Sequence, residues 1–227
     1  MPFMFYDPTM LMLIPVLLFA FWAQMHIRKA YSKFSRVKSS YGYTGARIAE
    51  SILQQNGIYD VEVEAVAGNL SDHYDPRTKT VRLSENNFKS NSLAAIAVAA
   101  HEVGHAIQHK RAYAPLILRH SILPVTNLVS FAAFPLFIIG MFVNSPMLMD
   151  VGILFFAAVV LFHLVTLPVE FNASSRALVA LRNNGYLKET EIDGGRKVLN
   201  AAALTYVAAA AMALVNLLRL LILRGDE

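Results

Sequence analysis

Long apolar stretches constrain this chain more than any other feature of its sequence. Three of them, at residues 10–25, 122–143 and 147–169, approach or reach the length at which a helix crosses the hydrocarbon core of a bilayer, about 20 residues. A fourth, Ala-rich stretch covers residues 201–218. Hydrophobic residues make up 56% of the chain, as is typical of membrane proteins. We therefore predict a mainly α-helical membrane protein with three or four transmembrane helices.

The charges that flank the first apolar stretch predict its orientation. Basic residues without an acidic one among them occupy positions 28–38, and the positive-inside rule places such a segment in the cytoplasm. We predict that residues 1–27 form an uncleaved anchor whose N-terminus lies outside, with Tyr6 and Trp22 toward the membrane interfaces. A cleaved signal peptide is the alternative, but its basic residues would precede the apolar stretch. The net charge of +4 then reflects membrane orientation, and we expect no nucleic-acid partner.

Residues 122–169 are predicted to form a transmembrane hairpin. Its two arms meet at residues 144–146, a turn without Lys or Arg, so we expect the tip to lie outside. Pro124 and Pro135 are expected to kink the first arm, which a bilayer tolerates. In the second arm, His163 is either an interior polar contact or a residue near a metal.

Two helical segments are expected after the hairpin. Pro168 is suited to the opening of a helix, so residues 170–199 are predicted to form a separate helical segment on the cytoplasmic side. Residues 200–227 form either a fourth crossing, which we prefer, or a helix that packs on the cytoplasmic region.

Residues 28–121 have the pattern of a small α+β region on the cytoplasmic side. Residues 44–53 predict an amphipathic helix, and residues 61–66 and 80–84 predict strands. The strand directly before the next helix either presents an unpaired edge, to which a peptide can add by backbone hydrogen bonds, or only supports that helix.

The chemistry of the chain is concentrated in the run His101-Glu102-Val103-Gly104-His105, within a predicted Ala-rich helix capped by Ser92. Positions i and i+4 share one helix face, so the imidazoles of His101 and His105 can bind one ion. Glu102 can reach a water on that ion and act as a general base. The chain has no cysteine, so His and carboxylate groups must hold the metal. A chance arrangement is the alternative, but an apolar helix has no reason to bury such a cluster without a partner.

A catalytic zinc site takes three protein ligands, so one more donor is required. Glu170 follows the hairpin at the depth where we expect the two histidines, and Asp193 lies in a sequence that resembles the third-ligand element of site-2 intramembrane proteases. We prefer Glu170, because the resemblance at Asp193 is short and lacks the Asn-x-x-Pro element expected upstream. A metzincin site is excluded, because Gln108 and Arg111 stand where it needs Gly and His.

Three stretches of the sequence together resemble a known family. They are residues 72–84, the helix that runs into residues 101–109, and residues 167–171. They look like the YugP-like family of bacterial membrane-bound neutral zinc metallopeptidases. That family is similar to the HtpX-type gluzincin peptidases, which place a membrane hairpin between HExxH and a downstream ligand Glu.

The resemblance implies a gluzincin-like zinc metallopeptidase domain with one Zn²⁺ per chain. By that resemblance His101, His105 and Glu170 are the zinc ligands, and Glu102 is the catalytic base. HtpX-type enzymes carry Asp four residues after the ligand Glu, where this chain has Ser174. Asn172 is a candidate substitute that would orient a ligand histidine.

A peptidase also needs a donor for the negative charge that develops on the attacked carbonyl oxygen, and His73, Tyr74 and Arg176 are the candidates. We predict a membrane-embedded zinc-dependent endopeptidase of the bacterial cytoplasmic membrane, with its active site facing the cytoplasm. Its expected partners are the lipid bilayer and peptide or protein substrates, membrane proteins among them. The alternatives are a site-2-type intramembrane metalloprotease and a non-catalytic zinc-containing membrane protein that binds peptides.

Overall fold

The computed structural model describes residues 8–225, most of which are helical. Tyr6 and the outer ends of the predicted segments 1–27 and 200–227 lie outside the described residues. In chain order the elements are a 3-10 turn (Pro8–Met12), α1 (Leu13–Phe34), α2 (Gly45–Gln55), β1 (Glu62–Val66), β2 (His73–Asp75), β3 (Thr80–Ser84), α3 (Glu85–Lys89), α4 (Leu93–Lys110), α5 (Ala114–Phe142), α6 (Pro146–Asn183) and α7 (Glu189–Gly225).

Among the described residues, four helical stretches are long and apolar enough to cross a membrane. They are the 3-10 turn together with α1, and the helices α5, α6 and α7. The prediction of a mainly helical protein with three or four candidate transmembrane helices is therefore confirmed. Their apolar side chains are largely exposed on the chain itself, as expected where lipid rather than protein surrounds a helix.

The chain divides into two compact units. The first comprises the described residues up to Gln24, Leu118–Leu167, and the described residues from Thr205 onward. The second comprises Met25–Ile117 and Pro168–Leu204.

Close helix packing defines the first unit. A Cβ atom added to Gly140 would lie 2.7 Å from the backbone nitrogen of Met149, and one added to Gly152 would lie 2.8 Å from the carbonyl oxygen of Ala133. The two glycines therefore allow α5 and α6 to approach at backbone distance, as small residues do in membrane helix pairs. Asn144, with a φ of 50°, forms the turn between the two helices, where the sequence predicted it.

Helix α6 continues without a break for 38 residues, through Pro168. The predicted start of a new helix at this proline is therefore wrong. Proline removes one helical hydrogen bond, to the carbonyl of Leu164, but a long helix held by neighbouring contacts tolerates that loss. As a result Glu170 lies inside a long helix and not at the beginning of a short one.

The second unit contains a three-stranded sheet with the order β1-β3-β2, in which β1 is parallel and β2 antiparallel to β3. Strand β3 directly precedes the helical segments and is the central strand, paired on both sides. The hypothesis that this strand presents an unpaired edge is therefore wrong, and within the described residues the edges of the sheet are β1 and β2. Val81 and Leu83 of β3 are fully buried, so the strand supports the helices packed on it.

Helix α4 forms the centre of the core of the second unit. Ser92 caps it as predicted, because its Oγ accepts a hydrogen bond from the backbone N–H of Ala95 at 3.2 Å. The alanines that follow leave room for close neighbours, and Ile96 and Val103 are fully buried. Helix α2 packs against α4 through its apolar face, and it covers residues 45–55, within two residues of the predicted 44–53.

Candidate metal centre

The candidate site forms where α4 and α6 meet at backbone distance. A Cβ atom on Gly104 would lie 2.6 Å from the carbonyl oxygen of Ala173, a separation that real Cβ atoms essentially never show. Gly104 lies between the two histidines of α4, and Ala173 lies between Glu170 and Ser174 of α6. The close approach of these small residues therefore brings the flanking side chains of both helices together.

Three side chains converge at this point. The Nε2 atom of His101 lies 3.3 Å from Oε2 of Glu170, and the Nε2 atom of His105 lies 3.7 Å from the same oxygen. One ligand atom from each residue falls within 4.8 Å of the other two. Tetrahedral zinc with ligands at 2.0–2.2 Å requires donor separations of about 3.4 Å. The chemistry and the spacing of these donors therefore fit a zinc ion.

Burial makes this cluster costly without a cation. The side chain of Glu170 is only 3% exposed, and those of His101 and His105 are 15% and 11% exposed. Burial lowers the pKa of His105, but its hydrogen bond to Glu170 and the charges of Glu102 and Glu170 outweigh that effect and raise the pKa above its usual value. The carboxylates thus favour a positive charge at this position, which a proton or a metal ion can supply.

Glu102 is a second buried carboxyl group beside the cluster. Burial raises the pKa of Glu102 above its usual value, against the opposing charges of His101 and His105. A carboxyl group whose affinity for protons is raised is suited to accept and return a proton during a reaction.

Both histidines are also held through their second ring nitrogen. Nδ1 of His101 lies 3.1 Å from Oγ of Ser174, and Nδ1 of His105 lies 3.0 Å from Oε1 of Gln108. These contacts orient both Nε2 atoms toward Glu170, as outer-shell partners of metal ligands do. Sequence reasoning gave Gln108 no role, although its position three residues after His105 places it on the same helix face.

Asn172 forms no direct hydrogen bond to a ligand histidine. Its Oδ1 accepts hydrogen bonds from Nε2 of Gln108 at 3.0 Å and from Nε of Arg176 at 2.7 Å. Asn172 therefore reaches His105 only through Gln108.

The three candidate oxyanion donors each have other contacts. His73, on β2, pairs its Nδ1 with the carbonyl oxygen of Ser71 at 2.8 Å. The hydroxyl of Tyr74 lies 2.8 Å from Nδ1 of His109, and burial raises the pKa of Tyr74 to about 12. Arg176, besides its bond to Asn172, lies over the ring of Tyr113 at 6.0 Å. Their role in catalysis stays a prediction.

Asp193, the alternative third ligand, lies elsewhere. Its carboxylate forms an ion pair with Lys197 at 2.6 Å and its side chain is 56% exposed. The adjacent Gly194 packs closely, because a Cβ there would lie 2.8 Å from Cδ1 of Leu93 at the start of α4. Within residues 8–225, the cluster that could hold a metal contains neither Asp193 nor His163.

Fold and site together define a class: a helical membrane protein in which a His-Glu-x-x-His helix and a glutamate far along the chain form a centre able to hold a metal ion. A family model described as "Putative neutral zinc metallopeptidase" matches residues 9–225, and the chain belongs to this family. The chain is 52% identical over 200 residues to the "Putative membrane protease YugP" of Bacillus subtilis (strain 168). The aligned region covers 88% of this chain and 89% of that protein. No solved structure gives a significant match. The resemblance to the YugP-like family of neutral zinc metallopeptidases is thereby confirmed.

Proposed function

We propose that this protein is a membrane-embedded, zinc-dependent endopeptidase. The observation that carries the proposal is the convergence of His101, His105 and Glu170 on one point, with the buried Glu102 next to His101 in the chain. Within the described residues this cluster offers three ligands. A structural zinc site is closed by four protein ligands, whereas a catalytic site has three and keeps one position for water or substrate. The donor set therefore favours catalysis over a purely structural metal.

In this proposal the chain's own residues divide the work of peptide hydrolysis. Zinc held by His101, His105 and Glu170 would polarise the substrate carbonyl and make a water molecule more acidic. A carboxylate oxygen of Glu102 would accept a proton from the attacking water as the oxygen of that water adds to the carbonyl carbon. Glu102 then returns the proton to the leaving amine nitrogen as the carbon–nitrogen bond breaks.

Orientation and substrates belong to the same proposal. The basic residues between positions 28 and 38 support a cytoplasmic location for the catalytic region and an outside N-terminus. The substrates that we propose are peptides or proteins, membrane proteins among them, and His73, Tyr74 and Arg176 stay the candidates for the oxyanion donor. The family and the relative both carry names that indicate peptide hydrolysis.

The test is the substitution Glu102→Gln in protein purified in detergent. The amide keeps the size of the side chain but cannot accept the proton, so we expect the rate of casein hydrolysis to fall by about 10²–10⁴-fold. The zinc content should stay at that of the wild type, because Glu102 is not a ligand. Glu85→Gln is the matched control, since it makes the same change on an exposed residue of α3. A Glu102→Gln protein that cuts casein at the wild-type rate would overturn the proposed base.

A further inference from the structure

Gln108 is a completely buried amide (0% exposed), and two of its three hydrogen bonds join α4 to α6. Its Nε2 donates to the carbonyl oxygen of Val169 at 2.8 Å and to Oδ1 of Asn172 at 3.0 Å. Its Oε1 lies 3.0 Å from Nδ1 of His105. One side chain thus contacts a candidate ligand on α4 and the residue that precedes Glu170 on α6.

The partners of this amide determine which way it faces. A backbone carbonyl can only accept a hydrogen bond, so the NH₂ group of Gln108 must face Val169. Arg176 can only donate, so Asn172 must present its oxygen to Arg176, and the same oxygen is then the acceptor for Gln108. The reverse orientation of Gln108 would set its oxygen against two other oxygens.

The orientation of Gln108 in turn selects one tautomer of His105. An amide oxygen only accepts, so the ring nitrogen that faces it, Nδ1 of His105, must carry the hydrogen. In the neutral ring, Nε2 then keeps its lone pair and is directed toward Glu170 and the candidate metal position. The contact of His101 with Ser174 is different, because a hydroxyl can donate or accept and so selects neither tautomer.

We propose that Gln108 is a positioning residue, which holds His105 as the Nδ1–H tautomer ready to bind a metal through Nε2, and that Arg176 supports Gln108 through Asn172. This inference rests on the proposed function, since it needs a metal at His105. It also gives Arg176 a task that uses its Nε atom.

The test uses full-length protein in detergent and two measurements that do not depend on peptide hydrolysis. Zinc affinity is measured by competition with a chelator. In the cobalt-loaded protein, proton NMR detects the hyperfine-shifted, exchangeable N–H of each metal-bound histidine. We expect Gln108→Leu to weaken zinc binding by about 10–100-fold, the usual effect of losing an outer-shell partner, and to lose the N–H signal of His105 through exchange with solvent.

Two further variants separate positioning from general damage. Gln108→Glu keeps an oxygen facing Nδ1, and its second oxygen, protonated because it faces two acceptors, can donate to Val169 or Asn172, so the N–H signal of His105 should be retained. Asn87→Leu is the matched control, because Asn87 is also a buried amide of the second unit, bonded to Asp72 and Tyr31 and not to a candidate ligand. We expect that variant to bind zinc like the wild type.

The outcomes distinguish the two proposals. A wild-type protein that binds neither zinc nor cobalt would overturn the proposed function, and this inference with it. A wild-type protein that binds zinc, with Gln108→Leu equal to it in affinity and in the N–H signal, would overturn the positioning role alone. The positioning role would also fall if Asn87→Leu weakened zinc binding as much as Gln108→Leu. Should Gln108→Leu fail to fold, Gln108→Glu decides, because loss of its N–H signal would contradict the proposal.

Discussion

Glu170 is the residue whose surroundings separate the two sequence-based hypotheses for the third ligand. Its carboxylate is buried between two imidazoles, whereas the carboxylate of Asp193 is exposed and paired with Lys197. Burying a carboxylate is unfavourable unless positive charge accompanies it. The burial of Glu170 is therefore favourable only if a cation, either a proton or a metal ion, shares the site.

Substitutions of Glu170 and Asp193 should differ in their effect on metal binding. We expect Glu170→Gln to weaken zinc binding by more than the factor of about 10–100 typical of an outer-shell change, because it removes a charged ligand. Asp193→Asn should leave the affinity unchanged, because it removes only a surface ion pair. Zinc per chain after dialysis, measured by mass spectrometry, checks both. Loss of zinc from Asp193→Asn with retention in Glu170→Gln would instead support the site-2 hypothesis.

Individual residues also show how far the sequence could predict the site. His101 and His105 were predictable because helical spacing alone places them on one face. Glu170 could be proposed only through the resemblance and the expected hairpin, since the contact across α4 and α6 is not local. Gln108 was missed because an amide has no metal-binding signature of its own. Its role depends on Val169 and Asn172, which lie far along the chain.

At the scale of elements, the close crossing of α4 and α6 depends on Gly104, a residue without a side chain. There is no space for a methyl group at Gly104, because a Cβ atom added there would lie 2.6 Å from the carbonyl oxygen of Ala173. We expect Gly104→Ala to force the helices apart and to lower the free energy of unfolding by about 1–3 kcal/mol, the usual cost of overpacking. Zinc affinity should fall as well, since the ligands come from both helices.

Gly195→Ala is the matched control for this prediction. It makes the same change inside a helix, but its Cβ would lie 3.4 Å from the Cβ of Ala97, which is ordinary contact. Alanine favours helix over glycine by up to about 1 kcal/mol, so this variant should be as stable as the wild type or slightly more stable. Thermal unfolding followed by fluorescence measures both, and equal melting temperatures for Gly104→Ala and Gly195→Ala would contradict the packing argument.

The elements themselves were predictable where local signals mark them. The cap at Ser92 follows from short-range hydrogen bonding, and the structure confirms it, whereas α2 ends within two residues of its predicted bounds. Pro168 misled the prediction, because a helix-opening residue is tolerated inside a long helix whose neighbours support it. The sequence left the pairing of β3 open, because strand order depends on contacts between segments that alternation within one strand does not encode.

At the scale of the whole molecule, the predicted orientation in the membrane can be tested with unusual clarity because the chain has no cysteine. A single cysteine can be placed at Ser145, in the turn between α5 and α6, or at Asn184, in the turn after α6. We expect Ser145→Cys to react with a membrane-impermeant maleimide in intact cells. Asn184→Cys should react only after permeabilisation. The reverse pattern would contradict a cytoplasmic catalytic region.

Removal of the metal is expected to destabilise the protein. A ligand that binds only the folded state adds stability of about 2.7 kcal/mol when its concentration is 100 times its Kd. We therefore expect a chelator to lower the melting temperature of the wild type and to have little effect on Glu170→Gln. A wild-type melting temperature that does not respond to chelation would contradict metal binding by the folded chain.

The meeting of α4 with α6 at Gly104 has one more consequence. The three candidate ligands of the metal centre come from α4 and α6, which are separated in the chain by the whole of α5. A bound ion would therefore link two segments that are distant in the sequence. A bound ion would then hold the two helices together and slow the digestion of the neighbouring backbone by an added protease.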